Sequence, residues 1–190
     1  MKLEHKVALS TLLVLLLMLG AGAISTAIRR VEPAAAPSAE RALVVPVQGV
    51  GVDTLVDSWG APRGSERVHQ GIDIAAPAGT PVRAAMAGTI AKLFRGKRGG
   101  IAIYQLDPSG HWVFYYAHLK AYAAGLRAGD KVAQGQIIAT VGATGNATTP
   151  HLHFEIQRAN RRRQWWRGTA FNPYGALKAG QLEQTLARRF

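Results

Sequence analysis

The sequence of 190 residues contains no cysteine. That absence excludes disulfide scaffolds, cysteine-ligated metal sites, cysteine nucleophiles and lipoproteins anchored through a cysteine. Acidic residues are also few, because 11 Asp and Glu stand against 23 Lys and Arg, which gives a formal net charge of +12. Such an excess favours anionic partners, among them nucleic acid, anionic lipid and acidic cell-wall polymers.

A chain of this length suffices for one folded domain with short additional segments, because a domain has about 100–200 residues. Hydrophobic residues make up 48% and charged residues 18% of the chain, a composition that can bury a core and is not that of a disordered tail. The 21 Gly and 9 Pro, together with many Val, Ile and Thr, favour strands and turns.

The N-terminus predicts an export segment. Lys2 and Lys6 precede the uncharged stretch Val7–Ile28, as in a signal peptide. At about 1.5 Å per residue, the same stretch could span a bilayer core of about 30 Å as a hydrophobic helix. Residues 21–23 read A-G-A, a cleavage pattern, whereas Arg29 and Arg30 directly after the stretch favour a retained anchor. Both interpretations predict export to the cell envelope or periplasm, and the second adds anchoring in the cytoplasmic membrane.

The chain is predicted to divide into four parts. Residues 1–28 are the signal peptide or signal anchor, and residues 29–42 are an Ala/Pro-rich linker without periodicity. The folded domain spans residues 43–177. In the tail, residues 178–190, Leu182 and Leu186 have the spacing of a short amphipathic helix.

The domain itself is predicted to be all-β. A turn at residues 107–110, D-P-S-G, joins two runs of strand-forming residues into a hairpin. Further short runs at close spacing favour a sandwich or a barrel-like sheet. The predicted strands lie within Thr80–Phe94, Ile101–Leu106, Trp112–Tyr116, Ile137–Val141 and His151–Ile156.

His69 and Asp73 are four residues apart. Gly71 and the β-branched residues around it argue against a helix, and in an extended chain residues i and i+4 share a face. Val68, Ile72 and Ile74 then face the core, and Gly71 leaves room for an ion between the polar groups. Taken alone, the pair also fits a hydrogen-bonded core histidine beside an aspartate.

Three other histidines extend this pattern. His151 and His153 share a face of one predicted strand, and His118 ends another, while His111 follows a turn and is expected on the surface. Zinc favours histidine nitrogen and carboxylate oxygen, and a catalytic site keeps one position open for water. Two His, one Asp and a water fit that requirement, and two His remain for acid–base work.

Together these motifs resemble the lysostaphin-like zinc metallopeptidases that cut peptidoglycan peptides. The resemblance runs through H-Q-G-I-D-I-A-A-P-A-G-T-P-V at residues 69–82, Y-A-H at 116–118, G-D-K-V at 129–132, G-Q at 135–136, G-A-T-G-N at 142–146 and H-L-H-F-E at 151–155. It covers roughly residues 45–175, with Asn172-Pro173 like the family's usual end. It implies an antiparallel all-β fold of the duplicated hybrid motif type.

The resemblance makes His69, Asp73 and His153 the ligands of one Zn²⁺ per chain. It makes His118 and His151 the catalytic pair that handles water and the oxyanion, without deciding which acts as base. All five positions are filled, whereas some members of the family have lost the ligands and only activate other hydrolases. Residues 146–150, N-A-T-T-P, depart from the family's pattern and are expected to alter only the rim of the cleft.

Two other functions stay open at this point. One is a non-catalytic wall-binding or hydrolase-activating module of the same fold. The other is an exported polyanion-binding protein, whose binding would collapse with salt and need no metal. Nucleic acid is not the expected partner, because export removes the chain from it and no nucleic-acid motif accompanies the charge. Arginines and two tryptophans in Arg158–Arg167 are expected either to dock the anionic wall or to form a solvated loop.

Overall fold

Neighbouring strands are antiparallel throughout the sheet that dominates the structure. The structure is a computed structural model and describes residues 42–64, 67–160 and 166–182. Nine strands follow the order β1-β8-β5-β4-β3-β6, with β7 pairing β2 and β5, and β9 pairing β8. The predicted antiparallel all-β architecture is therefore confirmed. The strands are β1 Ile72–Ala75, β2 Pro81–Arg83, β3 Gly88–Gly96, β4 Gly100–Leu106, β5 Trp112–Tyr122, β6 Lys131–Val132, β7 Ile137–Val141, β8 His151–Arg158 and β9 Thr169–Phe171.

Strands β1 and β8 bury one face and leave the other for the functional groups. Along β8, Leu152, Phe154 and Ile156 are at most 1% exposed, whereas His151 and His153 alternate with them and lie on the opposite face. Side chains alternate along a strand with period two. The core is thus on one side of the sheet, and the histidines are on the other.

The hairpin at residues 107–110 forms as predicted. Asp107 accepts hydrogen bonds through its carboxylate from the backbone N–H of Ser109 and of Trp112, and Gly110 N–H donates to the Asp107 carbonyl. These bonds satisfy the backbone groups of the turn locally. They also set the register in which β4 meets β5.

Strand β5 continues past His118, contrary to the expectation that His118 ends a strand. The register shifts there: Ile103 opposes Tyr116 but Ile101 opposes Leu119. His118 itself has φ 59°, in the left-handed region that few non-glycine residues adopt. The bulge leaves residue 118 unpaired with β4, and such bulges re-aim a side chain. The sequence did not predict the bulge that this extra residue forms in β5.

The C-terminal residues also differ from expectation. A helix, α1, spans Pro173–Ala179 and ends at Gly180, whose φ is 64°. The predicted tail helix over 178–190 is therefore wrong at its start, because residues 178 and 179 close an earlier helix. Leu182 is 2% exposed and packs in the core. Leu186 lies outside the described residues.

The remaining described residues add a short 3₁₀ helix, Val52–Thr54. The predicted hydrophobic helix within residues 1–28 and all but residue 42 of the linker lie outside the part that the structure describes. In the described ranges, no helix has the length and apolar character needed to span a membrane.

Candidate metal and catalytic site

His69 and Asp73 are held in place by one residue, Ser58. The Nδ1 of His69 lies 2.7 Å from the Ser58 carbonyl oxygen, and the Ser58 hydroxyl accepts from the Asp73 N–H at 3.0 Å. Because a carbonyl can only accept, His69 carries its hydrogen on Nδ1. Its Nε2 is therefore the ring nitrogen that faces Asp73.

The pairing of β1 with β8 brings the third group to the same point. Asp73 lies directly opposite His153 in the ladder. The Nε2 of His69 and the Nδ1 of His153 are 2.8 Å apart, and each is 3.1 Å from Oδ1 of Asp73. A tetrahedral zinc ion, with ligands at about 2.0–2.1 Å, would separate them by about 3.3 Å. Spacing and donor types thus both fit zinc.

Glu155 orients His153 from the far side. Its Oε1 accepts from His153 Nε2 at 2.7 Å, and Gln157 on the same strand donates to its other oxygen. In the metal-free site both ring nitrogens of His153 donate, Nε2 to Glu155 and Nδ1 to Asp73, and a bound metal would replace the hydrogen on Nδ1. A carboxylate behind a ligating histidine fixes the ring and raises its basicity. Burial lowers the pKa of His153, but its hydrogen bonds to Asp73 and Glu155 outweigh burial and raise that pKa to about 9.

Asp73 is ionised, and one of its carboxylate oxygens contacts both His69 and His153. Burial raises the pKa of Asp73, but hydrogen bonds from His153 and His69 outweigh burial and hold that pKa well below its usual range. Its Oδ1 faces both histidines, and its Oδ2 accepts from the guanidinium of Arg63. The outer oxygen therefore has its own partner, and Oδ1 is left to face the histidines.

His118 and His151 lie beside this cluster without joining it. Their ring centroids are 4.8 Å apart, and His151 Nε2 is 3.7 Å from Asp73 Oδ1. Each Nδ1 lies 2.8 Å from a carbonyl oxygen, that of Thr144 for His118 and that of Thr149 for His151. Both rings therefore keep Nε2 available as a proton acceptor. Burial lowers the pKa of His118, which favours its neutral form.

Comparison with known proteins places the chain in a family. The sequence profile described as Peptidase family M23 matches residues 67–173, more than half of the chain. The chain belongs to this family. Its fold matches the catalytic domain of lysostaphin from Staphylococcus simulans with a TM-score of 0.58 and 32% identity, over 67% of this chain and 95% of that domain.

Two curated M23 relatives are longer proteins. The L-Ala–D-Glu endopeptidase of Bacillus subtilis is 34% identical over 133 residues, which are 64% of this chain and 39% of that protein. The DD-carboxypeptidase/endopeptidase Mpg of Neisseria meningitidis is 44% identical over 92 residues, which are 48% of this chain and 20% of that protein. The chain therefore spans well under half the length of these relatives.

In this M23 domain all five predicted site residues meet at one place, but two local expectations are wrong. Val68 is 60% exposed and does not face the core. The reason is that strand β1 begins only at Ile72, and Val68 forms an isolated bridge to Pro62 in the preceding loop. The expected core residues Ile72 and Ile74 are buried, and His111 is exposed as expected.

Gly71 has a different purpose from the one expected. A Cβ there would lie 2.5 Å from the Phe154 carbonyl oxygen, 2.9 Å from Glu155 Cγ and 3.0 Å from His153 Cε1. The missing side chain makes room for β8 and its histidine–glutamate pair, not for an ion. Glycine is typical where two backbones approach this closely.

Three residues of the M23 site were not predicted from sequence: Ser58, Arg63 and Glu155. Glu155 could have been found, because it continues the i, i+2 alternation of His151 and His153. Ser58 and Arg63 lie 15 and 10 residues before Asp73, in irregular chain that carries no periodic signal. Of the Arg158–Arg167 segment, Arg158 lies over the Trp112 ring at 5.3 Å, and residues 161–165 are outside the described part.

Proposed function

We propose that this chain is a zinc-dependent endopeptidase that hydrolyses peptide stems or cross-links of bacterial peptidoglycan. The observation that carries the proposal is the convergence of His69, Asp73 and His153, with two further histidines at its edge. The names of the relatives, an L-Ala–D-Glu endopeptidase and a DD-carboxypeptidase/endopeptidase, support this choice of substrate.

The three converging residues would hold one Zn²⁺ per chain through Nε2 of His69, Oδ1 of Asp73 and Nδ1 of His153. When bound, zinc polarises a carbonyl and lowers the pKa of water toward about 7. Ser58 and Glu155 keep the two imidazoles in the tautomers that this donor set requires. Removal of such outer partners typically weakens metal binding by about 10–100-fold.

His118 is assigned the role of general base. Its Nδ1–H donates to the Thr144 carbonyl, and burial lowers the pKa of the ring, which favours the neutral form whose Nε2 can take a proton from the attacking water. His151 is assigned to the developing oxyanion. Its Nε2 lies 3.7 Å from Oδ1 of Asp73, close enough to the converging residues for an N–H at this atom to donate to the oxyanion.

The experiment is a digestion of purified sacculi, with product masses read by mass spectrometry and zinc measured in each variant. The zinc-loaded chain should release peptides, and a chelator should stop it. His153→Ala should lose most of its zinc, which stoichiometric metal in that variant would contradict. His118→Ala and His151→Ala should keep zinc yet lose about 100-fold or more in kcat. Near wild-type turnover in both variants would remove the proposed roles.

The same assay separates the other candidate functions. A non-catalytic activating module of this fold would bind sacculi without releasing peptides, and a polyanion-binding protein would bind without zinc. The complete set of five residues favours catalysis over both. We place the chain in the cell envelope or periplasm, with residues 1–28 as its signal or membrane anchor, as the basic start and the uncharged stretch indicate.

A further inference from the structure

A row of half-buried side chains crosses the sheet on the same face as His153. The ladder places Lys92 opposite Tyr104, Tyr104 opposite Tyr115, and Tyr115 opposite Glu155. Strands lie about 4.8 Å apart, so the row extends about 14 Å from Glu155 to Lys92. It begins beside the metal ligands and ends three strands away.

The rings in this row touch one another without a gap. The ring of Tyr115 lies 6.1 Å from that of His153 and 4.6 Å from that of Tyr104, and the Tyr104 ring lies 6.3 Å from that of Phe94. We call Lys92, Phe94, Tyr104 and Tyr115 the aromatic row. It forms a continuous, partly exposed floor that leads away from the site.

Lys92 is held at the far end of the aromatic row by two rings. Its Nζ lies 4.9 Å from the centre of the Phe94 ring and 4.7 Å from that of Trp166. Cation–π contacts stabilise the ammonium but leave its N–H donors without strong acceptors. Within residues 42–64, 67–160 and 166–182, no carboxylate lies within 4.0 Å of that nitrogen. A pre-positioned cation of this kind suits an anionic group on a ligand.

We propose that the aromatic row is a subsite for an extended stretch of substrate peptide, and that Lys92 binds a carboxylate on that peptide. The inference rests on the proposed function. The distance of about 14 Å from Glu155 to Lys92 corresponds to about four extended residues, and the stems of peptidoglycan carry carboxylates that complement a chain of net charge +12. The rings of Tyr104 and Tyr115 are tilted by 38°, and those of Phe94 and Tyr104 by 67°. They pack against each other and offer no flat platform for a sugar ring.

The test compares Lys92→Gln with the wild-type chain on two forms of one substrate. The probe is a cross-linked muropeptide dimer, used as isolated and after its carboxylates have been converted to amides. Lys131→Gln is the matched control, because Lys131 is an exposed lysine on β6 outside the aromatic row. Lys92→Arg keeps the charge, and unfolding temperatures verify that each variant is folded.

Lys92→Gln should raise KM for the untreated dimer by about 3- to 10-fold, as loss of a partly exposed ion pair does. The kcat should stay nearly unchanged. For the wild-type chain, KM should be higher on the amidated dimer than on the untreated dimer by the same factor. On the amidated dimer, Lys92→Gln should not raise KM further. Lys92→Arg should restore most of the loss, and Lys131→Gln should match wild type on both substrates.

If Lys92→Gln raises KM equally on both dimers, the proposal is overturned and the result points to glycan or shape recognition. If Lys92→Gln does not raise KM on either dimer, the proposal is overturned as well. If zinc-loaded wild-type chain cleaves neither dimer, the proposed function fails, and binding of the two dimers then tests the subsite separately. Weaker binding of the untreated dimer by Lys92→Gln, with unchanged binding of the amidated one, would support the subsite. Equal binding by both proteins would remove it.

Discussion

Gly71→Ala tests how closely β1 and β8 must approach for the proposed zinc site to form. The added methyl group would lie 2.5 Å from the Phe154 carbonyl oxygen, whereas carbon and oxygen ordinarily meet at about 3.3 Å or more. That oxygen belongs to backbone in the ladder, so it cannot swing aside as the end of a flexible side chain can. The strands must therefore separate locally by close to 1 Å.

This separation should damage both stability and metal binding. Overpacking of this kind costs about 1–3 kcal/mol in the free energy of unfolding. Because Asp73 opposes His153 across the same two strands, the ligands shift apart too. A functional site tolerates only about 0.5 Å of such displacement. We expect zinc affinity to fall by about 10–100-fold, as it does when the surroundings of ligands are disturbed.

The measurements are thermal unfolding with and without zinc, and zinc competition against a chelating dye. Gly51→Ala is the matched control, since no atom lies within 4 Å of its added Cβ and its φ is −85°. It should change stability by no more than about 0.5 kcal/mol. Wild-type stability and zinc affinity in Gly71→Ala would refute the packing argument. Loss of zinc without loss of metal-free stability would mean that the methyl group intrudes on the ion instead.

Further predictions address the surroundings of the ligands, protons and the basic segment. Glu155→Gln should keep the fold but lower zinc affinity by about 10–100-fold; an unchanged affinity in dye competition would contradict the orienting role. Because the pKa of metal-free His153 is raised to about 9, zinc binding at pH 7 should release about one proton. Calorimetry in buffers of different ionisation enthalpy measures this release, and binding heats that do not depend on the buffer would disprove it. Since burial lowers the pKa of His118, its neutral form persists as pH falls. The kcat of the zinc-loaded chain should therefore decline only below about pH 6.5. A decline that starts above that pH would argue against His118 as the base. Changing all three arginines of Arg161–Arg163 to Gln should raise KM on intact sacculi and spare a short soluble peptide; equal losses on both would indicate that the segment shapes the active site.

Much of the antiparallel sheet could be predicted from local patterns. The D-P-S-G turn at residues 107–110 predicts a hairpin because proline and glycine occupy the positions that such a turn requires. The alternation in His151–Ile156 predicts a strand with one apolar face, and Leu152 and Phe154 are indeed buried. These features depend on neighbours within a few residues, so the sequence carries them directly.

The residues that supply the donor atoms of the candidate site could likewise be identified from the sequence, but the place where these atoms converge in the fold could not. His69 and His153 are 84 residues apart, and only the pairing of β1 with β8 brings their nitrogens to 2.8 Å. The spacing within each motif indicates a shared face, whereas the choice of partner strand is a property of the whole sheet. The resemblance to a known family supplied that choice in advance; the spacings alone did not.

Other features of the site were decided by tertiary structure alone. The bulge that turns His118 toward the site arises where β5 leaves β8 for β7, and no local pattern marks that exchange. Ser58 and Arg63 reach Asp73 from irregular chain, where hydrogen bonds depend on the path of a loop. The sequence by itself therefore determined which residues carry the donor atoms of the candidate site and which of them share a face. The fold decided how they are oriented, because orientation depends on contacts between segments that are distant along the chain.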